Sequence, residues 1–345
     1  MSLYTLDPMN DSRWDELVKS HSLSSIFHRR EWLQTLVDTY GYRPLVLTTA
    51  APGKPLSDGI AFCEVRSWIT GKRLVSLPFS DHADPLLSEV SSGTEFAEWI
   101  VAATQKHNLN YIELRPFTWQ GSPGSLGVGQ SFWVHTLDLT KAESELFKNL
   151  DKSSLQRRIK KAEREQLEYE KGSCEKLIDE FCDLLLITRR RHQLLPQPRS
   201  WFRNLAKNLK SDFVVRIARK DSQAIAAIVT LHHRRMVVYK YGCSDEQYHY
   251  LAGMPFLFWK VITECRTEGA EALDFGRTEL ENEGLLRFKD QFGTVRRKIT
   301  YLRYPQKAVE ARAVSSHVPF AGHIFSVLPK FFSWRLGGIL YRHMG

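Results

Sequence analysis

The sequence predicts an α/β (α+β) protein of two similar domains, and three observations carry that expectation. Strand-period and helix-period segments alternate through residues 1–140. From residue 141 the order is helices, three strands, a helix, a strand, a short helix and a closing strand. The 345 residues, 43% hydrophobic and 12% aromatic, exceed one average domain and supply enough apolar surface for two cores. The expected organisation is a domain over 1–140, a second over 141–305, and an amphipathic tail over 306–345.

Composition narrows the function classes. Lys and Arg outnumber Asp and Glu 48 to 39, giving a formal charge of +9. That favours an anionic partner, whether phosphate, nucleic acid or an acidic membrane face. The five cysteines at 63, 174, 182, 243 and 265 form no CxxC pair, which fits reduced thiols and neither a disulfide frame nor a zinc site. The N-terminal MSLYTLDPMNDSRWDEL has no basic region followed by an apolar run, so no signal peptide is expected. No stretch of about 20 apolar residues is present either. The expected location is cytoplasmic, with attachment at the inner-membrane surface as a variant.

In the first half, helices are expected at 12–21, capped by Asp11 or Ser12, and at 29–40, where Trp32, Leu36 and Tyr40 recur every fourth residue. Strands are expected at Leu45–Thr49, Gly59–Val65 and Arg73–Leu77, with Pro52, Gly53 and Pro55 in a turn. The loop PFSDHADPLL gathers Asp81, His82 and Asp84 at a spacing that matches no defensible metal site, so a capping or ligand-contacting loop is expected. A helix at 93–107, a strand at Tyr111–Leu114, a Gly/Ser loop at 119–129 and a strand at Phe132–Leu139 complete this half.

In the second half, Thr140–Gly172 reads as one long charged helix or two. Leu155, Ile159 and Ala162 form its apolar face, while Lys152, Arg157, Arg158, Lys160, Lys161 and Arg164 cover much of the rest. Such a run is either a solvated face or a phosphate-binding one. A helix at 175–191 ends in Arg189, Arg190 and Arg191 beside His192, so Arg190 and His192 are candidate anion ligands. After a helix at 200–209 come strands at 213–219, 224–232 and 236–243. In the last, alternation puts Val237, Tyr239 and Tyr241 on one face, making both tyrosines candidate substrate contacts. A buried helix at 255–267 follows, with Pro255 suited to its first turn.

The stretch 270–293, AEALDFGRTELENEGLLRFKDQFG, carries the chemistry. Alternation over Glu271–Gly276 predicts a strand ended by Gly276, then a polar loop holding Arg277 and Asn282, then a short helix. The helix's expected apolar stripe is Leu285, Phe288, position 289 and Phe292, and position 289 is lysine. An ammonium there must snorkel, pair or do chemistry. Asp274 among small residues needs a partner. The plainer alternatives are a snorkelling Lys289 and an Asp274 bonded to a neighbouring amide. Yet Asp274, Arg277, Asn282 and Lys289 meet in one strand–loop–helix unit, at the carboxyl end of a strand, where ligands bind in open α/β sheets.

The second-half order resembles the GNAT acyltransferase fold. The segments FHRREW, LPFSDHADPL, LQRRIKKAERE, TRRRHQLLPQP, YKYGCS, LDFGRTELENEGLLRFKDQFG and LPKFFSWRLGGILYRHMG resemble the Fem-type (FemABX-like) tandem-GNAT transferases, especially a bacterial branch associated with exopolysaccharide genes. That resemblance implies an acyl or aminoacyl transferase. Fem enzymes move an amino acid from aminoacyl-tRNA to an amine of a peptidoglycan precursor. The family's phenylalanine–lysine pair at the transfer centre corresponds to Phe288 and Lys289, with the lysine stabilising charge on the carbonyl. The resemblance also extends acceptor contacts loosely to Asp81, Arg190 and Tyr241, and leaves Asp274 and Arg277 to organise the site. No metal and no resident cofactor are implied; the donor, acyl-CoA or aminoacyl-tRNA, is a co-substrate. Acetyl-CoA-using GNAT proteins carry an R/QxxGxG/A loop for pyrophosphate, and the equivalent QYHYLAGMP here has one glycine and a proline. No tRNA-binding coiled-coil arm is evident, the 141–170 helix being the nearest segment.

The tail over 316–345 intersperses Phe320, Phe325, Phe331, Phe332, Trp334, Ile339 and Tyr341 with Lys330, Arg335 and Arg342. It either docks on the protein's own core or lies in a membrane interface. The expected function is amide or ester formation on a cell-envelope or exopolysaccharide precursor. The alternative is a non-catalytic binder of tRNA or anionic glycan.

Overall fold

A computed structural model describes residues 3–87, 93–106, 108–118, 126–305 and 329–345. Its packing divides the chain into two units. The first takes the described residues of Met1–Ser131, Ile299–Ser315 and Ile339–Gly345, and the second those of Phe132–Lys298 and Ser316–Gly338. Residues 132–140 therefore go with the second unit, while Ile299–Tyr304 and the last seven residues go with the first, unlike the linear boundaries at 140 and 305. Residues 306–328 of the expected tail, with Phe320 and Phe325, and 119–125 of the expected loop lie outside the described residues.

The first unit runs β1 (Tyr4–Leu6), α1 (Ser12–Ser20), α2 (Arg30–Tyr40), β2 (Arg43–Thr48), β3 (Ile60–Ser67), β4 (Gly71–Val75), α3 (Gly93–Lys106) and β5 (Tyr111–Leu114). Asp11, not Ser12, caps α1, accepting from the Arg13 amide. The four-residue apolar spacing of α2 is buried as Trp32, Leu36 and Tyr40, and Gly41 ends that helix at φ +68°. Strands β1 to β4 pair antiparallel in order, and β4 runs parallel to β5. Leu302–Tyr304 closes beside β5 antiparallel. The core fills between Phe62, Leu74, Ile112 and Leu114.

The second unit continues with β6 (Gly127–Asp138, from Phe132 on), α4 (Glu143–Asn149), α5 (Arg157–Arg164), β7 (Glu168–Gly172), α6 (Glu175–Arg191), α7 (Arg199–Leu209), β8 (Phe213–Lys220), β9 (Gln223–His233), β10 (Met236–Ser244), α8 (Gly253–Thr267), β11 (Ala272–Glu279) and α9 (Glu283–Asp290). Then come β12 (Val295–Tyr304), which passes into the first unit at Ile299, and α10 (Lys330–Tyr341). Its strand order is β6-β11-β10-β9-β8-β7, antiparallel except for the β10–β11 pair. Helices α5 and α8 pack on one face, burying Ile159, Ala162, Phe258 and Ile262; α6 and α7 cover the other.

Of the one long helix or two expected over 140–172, the structure has two, and both stop short of 168. Helix α4 ends at Asn149, one π-type turn spans Lys152–Gln156, and α5 ends at Arg164. Residues 168–172, EYEKG, form strand β7 despite helix-favouring residues. Their partners on β8 decide this: Arg219 donates to Glu170 at 2.6 Å and also pairs with Glu180. Cross-strand pairing overrides local preference at this edge.

The end of the chain docks on the first unit. Buried Arg73 donates to the Gly345 carbonyl at 2.6 Å and the His343 carbonyl at 2.8 Å, and the Tyr42 hydroxyl donates to the Arg342 carbonyl at 2.9 Å. No helix among the described residues is long and apolar enough to cross a membrane.

Candidate active site at a parted, bulged strand pair

Strands β10 and β11 are parallel neighbours over three residues only, from Met236↔Ala272 to Val238↔Asp274. Beyond that, β10 follows β9 (Tyr241↔Val229) while β11 follows β6 (Arg277↔Val134). The two strands part toward their carboxyl ends, the place where open parallel sheets take ligands. Both carry an irregularity at the parting, at Tyr239/Tyr241 and at Asp274/Arg277.

The β11 irregularity corrects the expected strand end. Gly276 does not terminate the strand, which continues to Glu279. Between Asp274↔Thr136 and Arg277↔Val134, β11 spends Phe275 and Gly276 against the single residue His135. Gly276 sits at φ +69°, where any Cβ is strained. A bulge takes backbone groups out of the ladder, and buried groups must find other partners. Asp274 Oδ1 accepts from the Gly276 amide at 2.7 Å. Lys289 Nζ donates to the Gly276 carbonyl at 2.8 Å and the Arg277 carbonyl at 3.3 Å. Lys289 is only 2% exposed, so it does not snorkel.

Helix α9 delivers Lys289. Asn282 caps it, accepting from the Leu285 amide at 3.1 Å. The buried stripe uses Leu286, not the expected Leu285, which is exposed. Phe288 joins an aromatic wall with Phe258 (5.6 Å between centroids) and Phe292 (5.3 Å), and Phe275 stacks on Phe258 at 5.0 Å. Arg277, exposed on β11, lies over the Phe132 ring at 4.4 Å.

His135, opposite the bulge, escapes sequence reasoning: one histidine in an apolar strand reads as core. It is fully buried, and neither ring nitrogen has a well-aligned hydrogen bond. Nε2 lies 3.2 Å from Asp290 Oδ1, off the axis of a good bond. Burial, reinforced by the Lys289 and Arg296 charges, pulls its pKa down to about 4 against the Asp290 carboxylate, so the ring is neutral near pH 7.

The β10 irregularity separates the two tyrosines that alternation put on one face. Tyr239 packs against Phe258 of α8 at 4.7 Å. Tyr241 turns to the other face, against Phe202 at 5.2 Å, and its hydroxyl accepts from Trp201 Nε1 at 2.8 Å. One extra residue, Lys240, flips the alternation. Tyr241 is thus placed in the α6–α7 core. The Tyr239 hydroxyl lies over Gly242, where a Cβ would meet it at 2.1 Å, and burial pushes its pKa up, keeping the phenol protonated.

At the carboxyl end of β10, Ser244 meets the end of α6. Thr188 Oγ1 donates to the Ser244 carbonyl at 3.0 Å. His249 Nε2 lies 2.9 Å from Ser244 Oγ and 3.2 Å from an Arg191 nitrogen, and His192 stands beside Arg191. Arg190 lies in the last turn of the same helix. Burial and the neighbouring arginines lower the pKa of His192. Arg191 and His249 meet at this helix end although the sequence reading did not single them out, and burial and the Arg191 charge lower the pKa of His249. A further concavity of about 650 Å³ on α5 is lined by Arg157, Lys160, Glu163 and Arg164.

Asp81 belongs to the first unit, where its carbonyl accepts from the Tyr301 hydroxyl at 2.7 Å. The neighbouring Asp84 carboxylate accepts the Phe117 and Thr118 amides, and His82 stacks on Phe117 at 4.5 Å, so that loop caps its surroundings. Among the described residues, His232, Cys265 and Glu268 bring ligand atoms within 4.8 Å of one another. The Arg216 guanidinium, 3.8 Å from Cys265 Sγ, opposes a cation there.

Residues 151–290 match the acetyltransferase (GNAT) domain family. No curated protein matches the chain by sequence. Among solved structures, the fold is similar to that of FemX (TM-score 0.68, 13% identity, covering 88% of this chain and 97% of that one). It is also similar to L-PGS from Bacillus licheniformis (0.54, 14%, 93% and 96%). A third likeness is to a tandem GNAT protein from the clavulanic acid biosynthesis pathway (0.53, 9%, 88% and 98%). The matched segment spans the parted strands, the bulge and Lys289, so residues 151–290 carry an acetyltransferase (GNAT) domain, and the fold over most of the chain is similar to those of FemX and of the tandem GNAT protein.

Proposed function

We propose that the protein transfers an acyl or aminoacyl group from acyl-CoA or aminoacyl-tRNA to an amine or hydroxyl of a cell-envelope or exopolysaccharide precursor. The observation that carries this reading is the cleft where β10 and β11 part, with a buried ammonium, Lys289, fixed at its bulge. The acceptor nitrogen or oxygen attacks the donor carbonyl carbon, and the bond to the CoA sulfur or the tRNA ribose oxygen breaks. Negative charge develops on the carbonyl oxygen, and a fixed cation in a water-poor site stabilises it by several kcal/mol, about 2.7–4 for one good donor. Phe288 and Phe258 wall the site from water. Asp274 holds the bulge from the amide side, and Arg277 stands at its exposed edge. The protonated Tyr239 phenol gives its proton to the leaving group and recovers one from the acceptor, which balances the step.

Arg190 and Arg191, with the His192 and His249 rings beside them, and the α5 concavity suit the phosphates that both donors carry. A thermal-shift series with acetyl-CoA, longer acyl-CoA, aminoacyl-tRNA and a UDP-linked muropeptide tests the reading. A ligand at about 100 times its dissociation constant adds about 2.7 kcal/mol of stability. A shift with CoA species marks an acyl-CoA donor; a shift with charged tRNA or the muropeptide alone marks an aminoacyl donor. No shift with any of them overturns the proposal.

A further inference from the structure

The C-terminal helix is built inside out for a soluble surface helix. Its inward positions are the small residues Ser333 and Gly337. A Cβ on Gly337 would stand 2.1 Å from the Pro196 carbonyl, so the helix lies backbone-close on the Leu195–Pro198 segment. Its outward positions are Phe331, Arg335 and Ile339, a run at i, i+4 and i+8, with Phe332 beside Phe331 and exposed Arg342 just past the helix end. Phe331 is 65% exposed and Phe332 57%. The Arg335 guanidinium lies 6.0 Å from the Phe331 ring.

Exposed large apolar side chains that cluster mark an interaction surface.

We propose that the outward face of α10 docks on an anionic lipid bilayer surface. Charge selects this occupant. Lys330, Arg335 and Arg342 interleave with the aromatic side chains, and no Asp or Glu follows Glu310 in the sequence. A two-fold contact with a second copy would set these cations against themselves, which an isologous interface penalises. A bilayer interface accepts both components: rings enter the headgroup region, and guanidinium and ammonium groups reach lipid phosphates. This surface does not depend on the transfer chemistry proposed above.

Vesicle flotation of the full chain tests it, with phosphatidylcholine vesicles containing about one-third phosphatidylglycerol against phosphatidylcholine alone. The wild type is expected to float with the anionic vesicles and far less with the neutral ones. Phe331→Ser/Phe332→Ser is expected to lower binding about tenfold or more, and Arg335→Glu to abolish the preference for anionic lipid. Both variants change exposed side chains, so unchanged melting confirms folding. A wild type that stays at the bottom, or a double variant that floats equally well, overturns the proposal. So does a concentration-dependent dimer in sedimentation, lost in the double variant, with no flotation.

Discussion

Asp274 and Lys289 hold opposite ends of one residue: Asp274 takes the amide of Gly276 at 2.7 Å, and Lys289 takes its carbonyl at 2.8 Å. Both side chains are buried, so the bulge is fixed by a carboxylate and an ammonium reaching it from a strand and a helix. The lysine at the proposed transfer centre is therefore also a structural clamp.

That double role shapes the first prediction. Lys289→Met leaves two carbonyls without their donor, which costs about 1–3 kcal/mol and lowers Tm by a few degrees. Transfer, assayed well below the melting range, falls roughly 10²–10³-fold if the ammonium stabilises the oxyanion. Asp274→Asn is the companion, because an amide oxygen still accepts from Gly276. A folded Lys289→Met protein with wild-type turnover removes the lysine from the chemistry.

Gly276→Ala tests the bulge with Lys289 intact. At φ +69° an L-residue costs about 1–2 kcal/mol. The strain moves the carbonyl on which Lys289 rests, so turnover is expected to fall more steeply than stability. Loss of stability with unchanged kcat separates the bulge from catalysis.

The tyrosines on opposite faces of β10 give a paired prediction. Tyr239→Phe deletes only a hydroxyl over Gly242, so melting is nearly unchanged while kcat drops about 10²-fold or more. Tyr241→Phe removes the hydroxyl that accepts from the buried Trp201 Nε1 and costs about 1–3 kcal/mol with kcat unaffected. Reversal of this pattern returns the chemistry to Tyr241.

Much of this site was legible in the sequence, and its limits are physical. Periodicity located β11, α9 and a lysine within an apolar stripe, because a charge in such a stripe breaks the pattern of its own helix. It missed Leu286 for Leu285, since both positions are leucine and only packing chooses between them. Strict alternation failed at Lys240 and at Phe275–Gly276, because a bulge is decided by the neighbouring strand, β9 or β6. For the same reason His135 carried no signal: its importance comes from residues more than 130 positions away. Strand β7 was hidden because glutamate and lysine in EYEKG favour a helix until Arg219 pairs across it.

His135 also makes a prediction about acid stability. Its folded pKa is lowered to about 4 from the ordinary 6.5, and His232 is lowered to about 4 by burial and Arg216. As pH falls below 6.5, the unfolded chain binds these protons and the folded chain does not. Stability contributed by the neutral rings is thus present above pH 6.5 and is lost progressively as pH falls toward 4. One such histidine accounts for at most about 1.4 kcal/mol per pH unit, and roughly 3 kcal/mol over the window. Denaturant melts of wild type and His135→Gln between pH 6.5 and 5 read this directly, above the range where carboxylates dominate. The wild-type curve should be the steeper by close to one proton at the acid end. Parallel curves would mean that His135 takes its proton in the folded protein as readily as in the unfolded chain, with the Asp290 carboxylate outweighing burial and the Lys289 charge.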